Sequence, residues 1–424
     1  PSPVSAVMSG VMIKTGIYGI VRTLAILGAV PGWCAWVVLG AGAASGILGL
    51  LFALAQRDLK RLLAYSSVEN IGIVALGIGL GMLGLHYGSP AVAALGFAGG
   101  LLHVLNHALF KGLLFLGAGA VVHATGTRNL EQLGGLLKRM PWTGAAFLAG
   151  AAAICGLPPF NGFAGEFLIY LGAFRGILSA GGLALGGVGA VLALALIGGL
   201  AVAGFTRAFG IAFLGEPRSP AAAAAHEAGA AMRGPMLVLA GLCLAVGLAA
   251  GFVVRFMEPA VAMLMGLDAA PAGAPVESAA RLLVPVAAGS ALLLAAILVL
   301  AEVRRRLLAK RSVRETVTWD CGYAAPASSM QYTAAGYARP LTRDARAILR
   351  PESDWHPPRG AFPDSASFRS ATPDVAGKRL FAPVFAGAAK LLGRLRWLQQ
   401  GRVHLYVLYI VVVLMVLLAW ALAS

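Results

Sequence analysis

Two histidines and a lysine in one apolar stretch are the residues most clearly suited to chemistry. His103, His107 and Lys111 follow one another at intervals of four residues, which places them along one side of a helix, about 6 Å apart. Two titratable imidazoles leading to an ammonium are typical of a proton relay inside a membrane. Two alternatives stay open, a metal site and a purely structural polar stripe. No Glu follows the first histidine and no third ligand is near, which disfavours metal.

Lys14 is a charged residue in the middle of another apolar stretch. It follows Pro3 by 11 residues, or roughly 16 Å of helix, which is about half of a bilayer's hydrocarbon core. A lysine at that depth is costly, so we expect it to face a hydrated interior or a partner carboxylate. An ammonium there can release its proton, which a guanidinium cannot readily do. The alternative is a side chain that snorkels to the interface.

Glu166 follows a segment that should break its helix. Within GLPPFNG at 156–162, the helix-breaking residues are Gly156, Pro158, Pro159 and Gly162. The backbone groups that such a break frees are tolerated at membrane depth only beside water or a cavity. The carboxylate next to the break is therefore a candidate terminal site for a proton path.

Glu69 and Lys60 have two possible roles each. Glu69, with Asn70, lies near the start of the third apolar stretch, where helix capping or packing explains a polar pair as well as proton uptake does. Lys60 belongs to the short basic connection before that stretch. It is either part of a proton path or a structural charge.

The composition indicates a membrane protein. Of 424 residues, 59% are hydrophobic and 12% are charged, whereas a soluble domain has about 25% charged residues. The 56 glycines suit close-packed transmembrane helices. The net charge of +16 does not indicate nucleic-acid binding, because residues 301–402 alone hold 18 Lys/Arg against 8 Asp/Glu between two apolar stretches, as the positive-inside rule predicts for a cytoplasmic loop.

No metal or redox cofactor is predicted in this chain. The four cysteines, at 34, 155, 243 and 321, are not paired at the Cys-x-x-Cys spacing of iron–sulfur and zinc sites. The sequence also contains no nucleotide loop, Gly-x-Ser-x-Gly elbow, His-Glu-x-x-His motif or cofactor glycine fingerprint. Any redox chemistry should therefore reside on partner subunits of an oxidoreductase complex.

Nine stretches are long and apolar enough to cross ~30 Å of hydrocarbon. They lie at about 3–28, 33–55, 65–85, 93–122, 142–176, 184–214, 234–256, 279–303 and 402–423. The fifth contains the Gly/Pro break and counts as one broken helix, because neither half can cross alone. The connections after spans two, four, six and eight carry Lys and Arg, and the others carry almost none. This alternation predicts a cytoplasmic start and an end on the opposite side.

The last third of the chain changes character twice. Residues 304–374 are polar, basic and rich in Pro and Ser, which predicts an irregular cytoplasmic segment. Over 375–400, apolar residues recur at three- and four-residue spacing, which predicts an amphipathic helix along a membrane surface or along neighbouring helices. The alternative is a surface helix of a small soluble insert. Residues 401–424 should form a last transmembrane anchor.

Four blocks of residues resemble one known family. They are PVSA at 3–6 with KTGIYGIVR at 14–22, DLKRLLAYSS at 58–67, HALFK at 107–111, and GLPP at 156–159 followed by Glu166. In combination they resemble the proton-translocating antiporter-like membrane subunits of respiratory complex I, multisubunit cation antiporters and membrane-bound hydrogenases. The runs SVENIG at 67–72, TWDCGY at 318–323, MQYT at 330–333 and LQQGRVHLY at 398–406 are similar to the large antiporter-like subunit of hydrogenase-4 and formate hydrogenlyase.

The resemblance implies a core of fourteen helices, made of two inverted five-helix repeats that each contain a broken helix and a buried lysine. Lys14 would be the connecting lysine, Lys111 with His103 and His107 part of the central axis, and Glu166 the exit-side residue. Residues 1–260 would hold the second half of this core and 261–303 an additional span, followed by the lateral helix and the anchor. The first repeat, with its own carboxylate and lysine, is expected before Pro1.

The leading hypothesis is a multi-pass proton-translocating subunit of a redox-driven complex in the bacterial inner membrane, of the hydrogenase-4 or formate hydrogenlyase type. Its expected partners are other membrane subunits, peripheral hydrogenase and iron–sulfur subunits, and the lipid bilayer, without nucleic acid. One alternative is an antiporter-like subunit of an NADH-quinone oxidoreductase or a multisubunit Na+/H+ antiporter. The other is a membrane anchor that conducts nothing.

Overall fold

The structure is a computed structural model that describes residues 1–28, 30–266, 273–312, 327–358, 360, 362, 365–398 and 401–423. Helices make up most of it, accompanied by a two-stranded sheet. The chain forms two compact units, Pro1–Ala347 and Ile348–Ser424. Since eight of the described helices are long and apolar enough to cross a membrane, the predicted all-α polytopic membrane fold is confirmed.

The long helices of the first unit follow one another in chain order. They are α1 (Ser2–Leu27), α2 (Gly32–Ala55), α3 (Leu59–His86), α4 (Pro90–Thr125), α5 (Pro141–Ile154), α6 (Asn161–Ile177), α7 (Gly181–Phe213), α8 (Ala230–Leu248), α9 (Gly273–Leu308) and α10 (Ala334–Asp344). Shorter helical turns occupy Leu130–Gln132, Leu136–Arg139, Pro220–Ala223, Ala250–Phe256, Glu258–Leu264, Ser328–Met330 and Arg346–Leu349.

The predicted broken helix is present as α5 and α6. The two halves have 14 and 17 residues, and each is too short to cross the ~30 Å hydrocarbon core by itself. Gly156 adopts a left-handed backbone with φ +61°, and the two prolines that follow cannot donate backbone hydrogen bonds. These residues end α5 and delay the start of α6 until Asn161.

The seventh predicted span, 234–256, is wrong as a single continuous helix. Helix α8 ends at Leu248, and Ala250–Phe256 forms a separate short helix after Ala249, whose φ of −102° and ψ of 18° leave the α region. Hydropathy could not indicate this break, because the residues on both sides of Ala249 are equally apolar. The other predicted spans coincide with α1–α4, α7, α9 and the last helix of the chain.

Helices α3 and α4 lie at the centre of the first unit. Helix α3 packs between α2 and α4, and α4 also contacts α6. Small residues make these approaches close, since a Cβ on Gly77 of α3 would lie 2.8 Å from the Cα of Gly100 on α4. The abundance of glycine in the sequence therefore reflects backbone-to-backbone packing.

Four connections meet at one end of this helix bundle. The N–H of Leu59 donates to the carbonyl of Arg128, and the N–H of Gly135 donates to the carbonyl of Leu214, each at 2.9 Å. Arg218 donates to the carbonyl of Tyr332 at 2.5 Å. These are the connections after the second, fourth, sixth and eighth predicted spans, so the basic connections share one side as the charge alternation requires. That this side is cytoplasmic stays a prediction.

The sequence predicts an irregular segment over 304–374, and this prediction is wrong in part. The segment contains helices and two strands. Helix α9 continues to Leu308, α10 follows, and strands β1 (Glu352–His356) and β2 (Ser367–Ala371) pair antiparallel. The composition of this segment does not indicate α10, because a local interaction sets the start of the helix. The Thr333 side chain accepts a hydrogen bond from the Gly336 N–H at 2.9 Å. The motif at 318–323 lies outside the described residues.

The second unit holds the strands and two further helices. These are α11 (Ala382–Gly393) and α12 (Val403–Ala423). A π-helical turn at Gly377–Phe381 precedes α11, and a 3-10 turn at Arg394–Leu398 follows it. The helix predicted over 375–400 is thus present. Within its own unit α11 exposes its apolar side chains, with Phe385 69% and Leu391 62% accessible. Such a face suits contact with lipid or another subunit, and that contact stays a prediction.

Glu131 should anchor α10 to the first unit. Its carboxylate accepts hydrogen bonds from the N–H groups of Ala334, at 3.2 Å, and Ala335, at 2.8 Å. Losing such a cap costs about 1 kcal/mol, so in Glu131→Ala the amides at 334–336 should exchange with deuterium about fivefold faster. Hydrogen-exchange mass spectrometry measures this. The control is Glu302→Ala, since the partners of Glu302 among the described residues are arginines of its own helix. Equal protection in both variants would contradict the anchoring role.

Candidate functional site

The Lys111 ammonium is buried between α3 and α4. Lys111 lies on α4 with no accessible surface, and its Nζ donates to the carbonyl of Leu63 at 2.8 Å and to the hydroxyl of Ser66. Both acceptors belong to one turn of α3. No carboxylate of the described residues contacts this ammonium directly, so neutral oxygens hold it, an arrangement that leaves its proton available for transfer.

Lys14 reaches the same turn of α3 through two serines. Helix α1 contains a π-helical turn at Met8–Met12. Lys14 follows this turn by two residues and donates to the carbonyl of Ser9 at 2.6 Å. The hydroxyls of Ser9 and Ser67 are 2.6 Å apart, and Ser67 donates to the Leu63 carbonyl at 2.9 Å. Lys14 therefore directs its ammonium along its own helix to Ser9, and the snorkelling alternative stays open.

The hydrogen bonds of Ser67 and Lys111 meet at the Leu63 carbonyl, and Lys14 lies next to them through its bond to the Ser9 carbonyl. Because Ser67 gives its single hydroxyl proton to Leu63, Ser9 must be the donor in the serine pair. The Leu63 carbonyl accepts from both Ser67 and Lys111. The two lysines, 97 positions apart in the sequence, thus lie on either side of the Ser9–Ser67 pair, where α1, α3 and α4 meet.

The two histidines lie on the same buried side of α4. His103 and His107 have no accessible surface. His103 Nε2 lies 3.0 Å from Asn70 Oδ1 on α3, whereas neither ring nitrogen of His107 contacts a described protein donor or acceptor. The His107 ring packs edge-on against Phe110, with centroids 5.5 Å apart. Within the described residues, no group of three His, Cys, Asp or Glu side chains is arranged to hold a metal.

Glu69 lies deep in α3, and the capping explanation for it is wrong. Helix α3 begins at Leu59, and Asp58 is its N-cap, accepting from the N–H groups of Lys60 and Arg61. Glu69 stands ten residues beyond Leu59, is fully buried and accepts from Asn70 Nδ2 at 2.5 Å. Lys60 stays in the first turn, about 14 Å from Glu69 along the helix, so the structure does not bring it to this cluster.

Glu166 sits over the helix break. It is half-buried on α6, and a Cβ on Gly156 would lie 2.9 Å from its Oε2. The break also contacts α4 directly, because Asn106 Nδ2 donates to the carbonyl of Asn161 at 2.7 Å. Helix α6 thus brings the break, Glu166 and the histidine-bearing side of α4 together.

Several buried polar atoms of this cluster have no partner among the described residues. They are Glu69 Oε1, His103 Nδ1, Asn106 Oδ1, both ring nitrogens of His107 and Asn161 Oδ1. Buried polar atoms are normally satisfied by hydrogen bonds, and water supplies the missing ones at polar sites. A cluster of titratable and amide groups with free hydrogen-bonding capacity can therefore accommodate protons and water.

Sequence reasoning missed the neutral residues that connect the charged ones. Ser9, Ser66, Ser67, Asn106 and Asn161 are buried polar residues inside predicted spans, and that contrast was the available signal. Reasoning from the sequence also overlooked a buried cation, Arg207 on α7, whose guanidinium donates to the carbonyls of Leu54 and Gln56 at the end of α2. Its partners are helix-terminal carbonyls, so its role is structural.

Gly156→Ala should disturb both the backbone and Glu166. An alanine at φ +61° costs about 1–2 kcal/mol, and its Cβ would also displace the Glu166 carboxylate. Gly126 provides the control, because its φ is +67° and a Cβ there meets nothing within 4 Å. Thermal unfolding of the detergent-solubilised protein should show a larger drop in melting temperature for Gly156→Ala than for Gly126→Ala. Equal drops would show that Glu166 does not press on Gly156.

Comparison with known proteins assigns the first 193 residues to a family and finds relatives of the whole chain. Residues 1–193 match the family described as "NADH:quinone oxidoreductase/Mrp antiporter, TM". Hydrogenase-4 component B of Escherichia coli (strain K12) is 37% identical over 440 aligned positions, covering 99% of this chain and 64% of that relative. A Na(+)/H(+) antiporter subunit of Alkalihalophilus pseudofirmus is 38% identical over 179 positions, covering 41% of this chain and 22% of that relative.

The fold has a counterpart among solved structures. The membrane-bound sulfane sulfur reductase, an archaeal respiratory membrane complex, contains a chain with a TM-score of 0.65 and 22% identity, covering 98% of this chain and 62% of that one. The chain thus spans less than two thirds of the length of these larger relatives. Residues 1–193 thus carry the membrane domain of the NADH:quinone oxidoreductase and Mrp antiporter family, and the chain as a whole is similar to antiporter-like membrane subunits.

Proposed function

We propose that this chain is a proton-translocating subunit of a redox-driven complex in the bacterial inner membrane. The observation that carries the proposal is the burial of the Lys111 ammonium on neutral oxygens of one turn of α3, with Lys14 and the Ser9–Ser67 pair next to that turn. Carbonyl oxygens accept hydrogen bonds but have no proton to pass on, so these contacts hold the two lysines in place, and the cost of burying the lysines argues for a functional role.

Electrostatic interaction between the buried charges supports a coupling mechanism. The Glu69 carboxylate lies within electrostatic range of both Lys111 and Glu166, and Lys111 within range of Lys14. A proton that arrives at one of these groups changes the proton affinity of the next, because opposite charges stabilise and like charges destabilise each other's ionised forms. Protons would pass through Lys14, His103, His107, Lys111 and Glu166, with Glu69 as an additional charge.

The partner complex is proposed to be a membrane-bound hydrogenase of the hydrogenase-4 or formate hydrogenlyase type. The similarity to hydrogenase-4 component B extends over 99% of this chain, whereas that to the Na(+)/H(+) antiporter relative covers 41%. The longer match includes the segments after residue 193, where the family match ends. Hydrogenase and iron–sulfur subunits would perform the redox chemistry, and this chain would contribute no cofactor.

Removing the Lys111 ammonium should stop proton translocation in the assembled complex. In Lys111→Met, substrate-driven acidification or alkalinisation of proteoliposomes should fall at least tenfold, since positioned proton-transfer groups contribute ~10²–10⁴-fold. Glu166→Gln should have a similar effect. Lys310→Met is the matched control, because Lys310 is exposed at the end of α9. An unchanged ratio of protons to electrons in Lys111→Met and Glu166→Gln would refute the proposal.

Two further measurements separate the alternatives. A sodium-dependent pH change in vesicles that lack any redox partner would favour a cation antiporter, to which the Na(+)/H(+) antiporter relative gives some support. A membrane anchor predicts that Lys14 and Glu166 variants lose assembly of the complex, while the complexes that do assemble transport normally. Blue-native electrophoresis alongside the transport assay distinguishes these outcomes.

A further inference from the structure

Asn70 connects a carboxylate on its own helix with a histidine on the next one. It lies on α3 with no accessible surface. Its Nδ2 lies 2.8 Å from the Ser66 carbonyl and 2.5 Å from Glu69 Oε2, and its Oδ1 lies 3.0 Å from His103 Nε2. Both N–H donors of the amide and one of the two lone pairs on its oxygen therefore have protein partners.

The partners of Asn70 determine which way its amide points. A carboxamide has two N–H donors on nitrogen and an acceptor on oxygen. The Ser66 carbonyl can only accept, so it must face the nitrogen, and it holds this orientation whether or not Glu69 carries a proton. With the nitrogen directed at Ser66 and Glu69, only Oδ1 can face His103.

The amide in turn determines the protonation of the imidazole. Because Asn70 Oδ1 can only accept, His103 Nε2 must carry a hydrogen. In the neutral ring the lone pair then lies on Nδ1, and in the charged ring the additional proton lies there. Nδ1 has no hydrogen-bond partner among the described residues, and it faces Gly165 on α6, where a Cβ would approach it to 3.1 Å.

We propose that Asn70 is a positioning residue that keeps the hydrogen on His103 Nε2, so that this histidine exchanges its proton through Nδ1, on the Gly165 side. Gly165 keeps that side open, because a Cβ there would also lie 3.0 Å from Asn106 Nδ2. The protonation form follows from hydrogen bonding alone, and its use in proton transfer rests on the proposed function.

This assignment changes the part that His103 plays. A histidine that passes protons straight through a chain must exchange at both nitrogens. His103 exchanges at Nδ1 alone, so it receives and returns protons on the side of the break and α6. Its Nε2 is linked to Glu69 by hydrogen bonds through the Asn70 amide. A change of charge on Glu69 therefore acts on His103 through two hydrogen bonds without a proton crossing between them.

Solid-state NMR of the complete complex tests the protonation form directly. With histidine labelled by ¹³C and ¹⁵N, the ring nitrogen shifts separate the Nε2–H form, the Nδ1–H form and the imidazolium. His103 is the only histidine followed by valine in this sequence, so additional ¹⁵N-valine labelling selects its backbone pair, and its loss in His103→Gln confirms the assignment. A neutral His103 in the Nε2–H form is expected. A neutral His103 with the hydrogen on Nδ1 would overturn the proposal.

Two variants separate the acceptor role of Asn70 from packing. In Asn70→Leu, of similar size but without an acceptor, the single Nε2–H form should give way to a mixture of both neutral forms. In the exchanged pair Glu69→Gln with Asn70→Asp, the carboxylic acid at 70 can donate its proton to the Ser66 carbonyl and still accept from Nε2, so the Nε2–H form should persist. Loss of the Nε2–H form in this pair, or its persistence in Asn70→Leu, contradicts the proposal. If Asn70→Leu does not assemble, the wild-type spectrum and the exchanged pair still decide.

Gly165→Ala tests the side on which His103 exchanges. It should leave the Nε2–H form in place and lower redox-driven proton translocation about tenfold or more. Gly176→Ala, on the same helix, should transport normally, because the atoms nearest to a Cβ there belong to Leu183, at 3.3 Å or beyond. Normal transport by Gly165→Ala would refute exchange on this side. Absence of translocation even in the unmodified complex would refute the proposed function and leave the protonation form standing.

Discussion

The burial of the Lys111 ammonium is the constraint on which much of the rest of the structure depends. Hydrocarbon offers no hydrogen bonds, so a charge inside the bundle must find its acceptors within the protein. Lys111 finds them in a single turn of α3, at Leu63 and Ser66. To present these oxygens, α3 has to approach α4 closely, which glycines such as Gly77 and Gly100 permit. The same turn then offers Ser67 to α1.

Interruptions of helices supply the other half of the arrangement. Helix α1 has its π-helical turn just before Lys14, and the α5–α6 break lies just before Glu166. Each interruption frees backbone groups at a depth where water is scarce. In α1 the lysine itself donates to the carbonyl of Ser9, and at the break Asn106 donates to the carbonyl of Asn161. Irregular backbone and ionisable side chains are therefore stabilised together, at the same places.

Charged residues act differently at the end of the bundle where the basic connections meet. Asp58 accepts from the first N–H groups of α3, Glu131 from those of α10 and Glu227 from those of α5, while Arg207 donates to carbonyls at the end of α2. Each carboxylate lies at a helix N-terminus and the arginine at a C-terminus, as the helix dipole favours. Charges at this end thus cap helix ends. Those in the middle of the bundle, such as Lys111 and Glu69, instead bond to buried polar groups of α3.

The sequence by itself determined the elements and the charged residues of the site. Apolar stretches located the spans because hydrophobic length reports directly on the bilayer, and the prolines and Gly156 located the break because their backbone preferences are local. The pattern of four-residue steps placed His103, His107 and Lys111 on one side of α4.

Only the tertiary structure decided what those residues touch. Ser9 and Ser67 are 58 positions apart and Asn70 and His103 are 33 apart, and no local pattern predicts which neutral side chains meet across helices. For the same reason Glu69 could be mistaken for a cap, since its true surroundings depend on where α3 begins and on what packs against it.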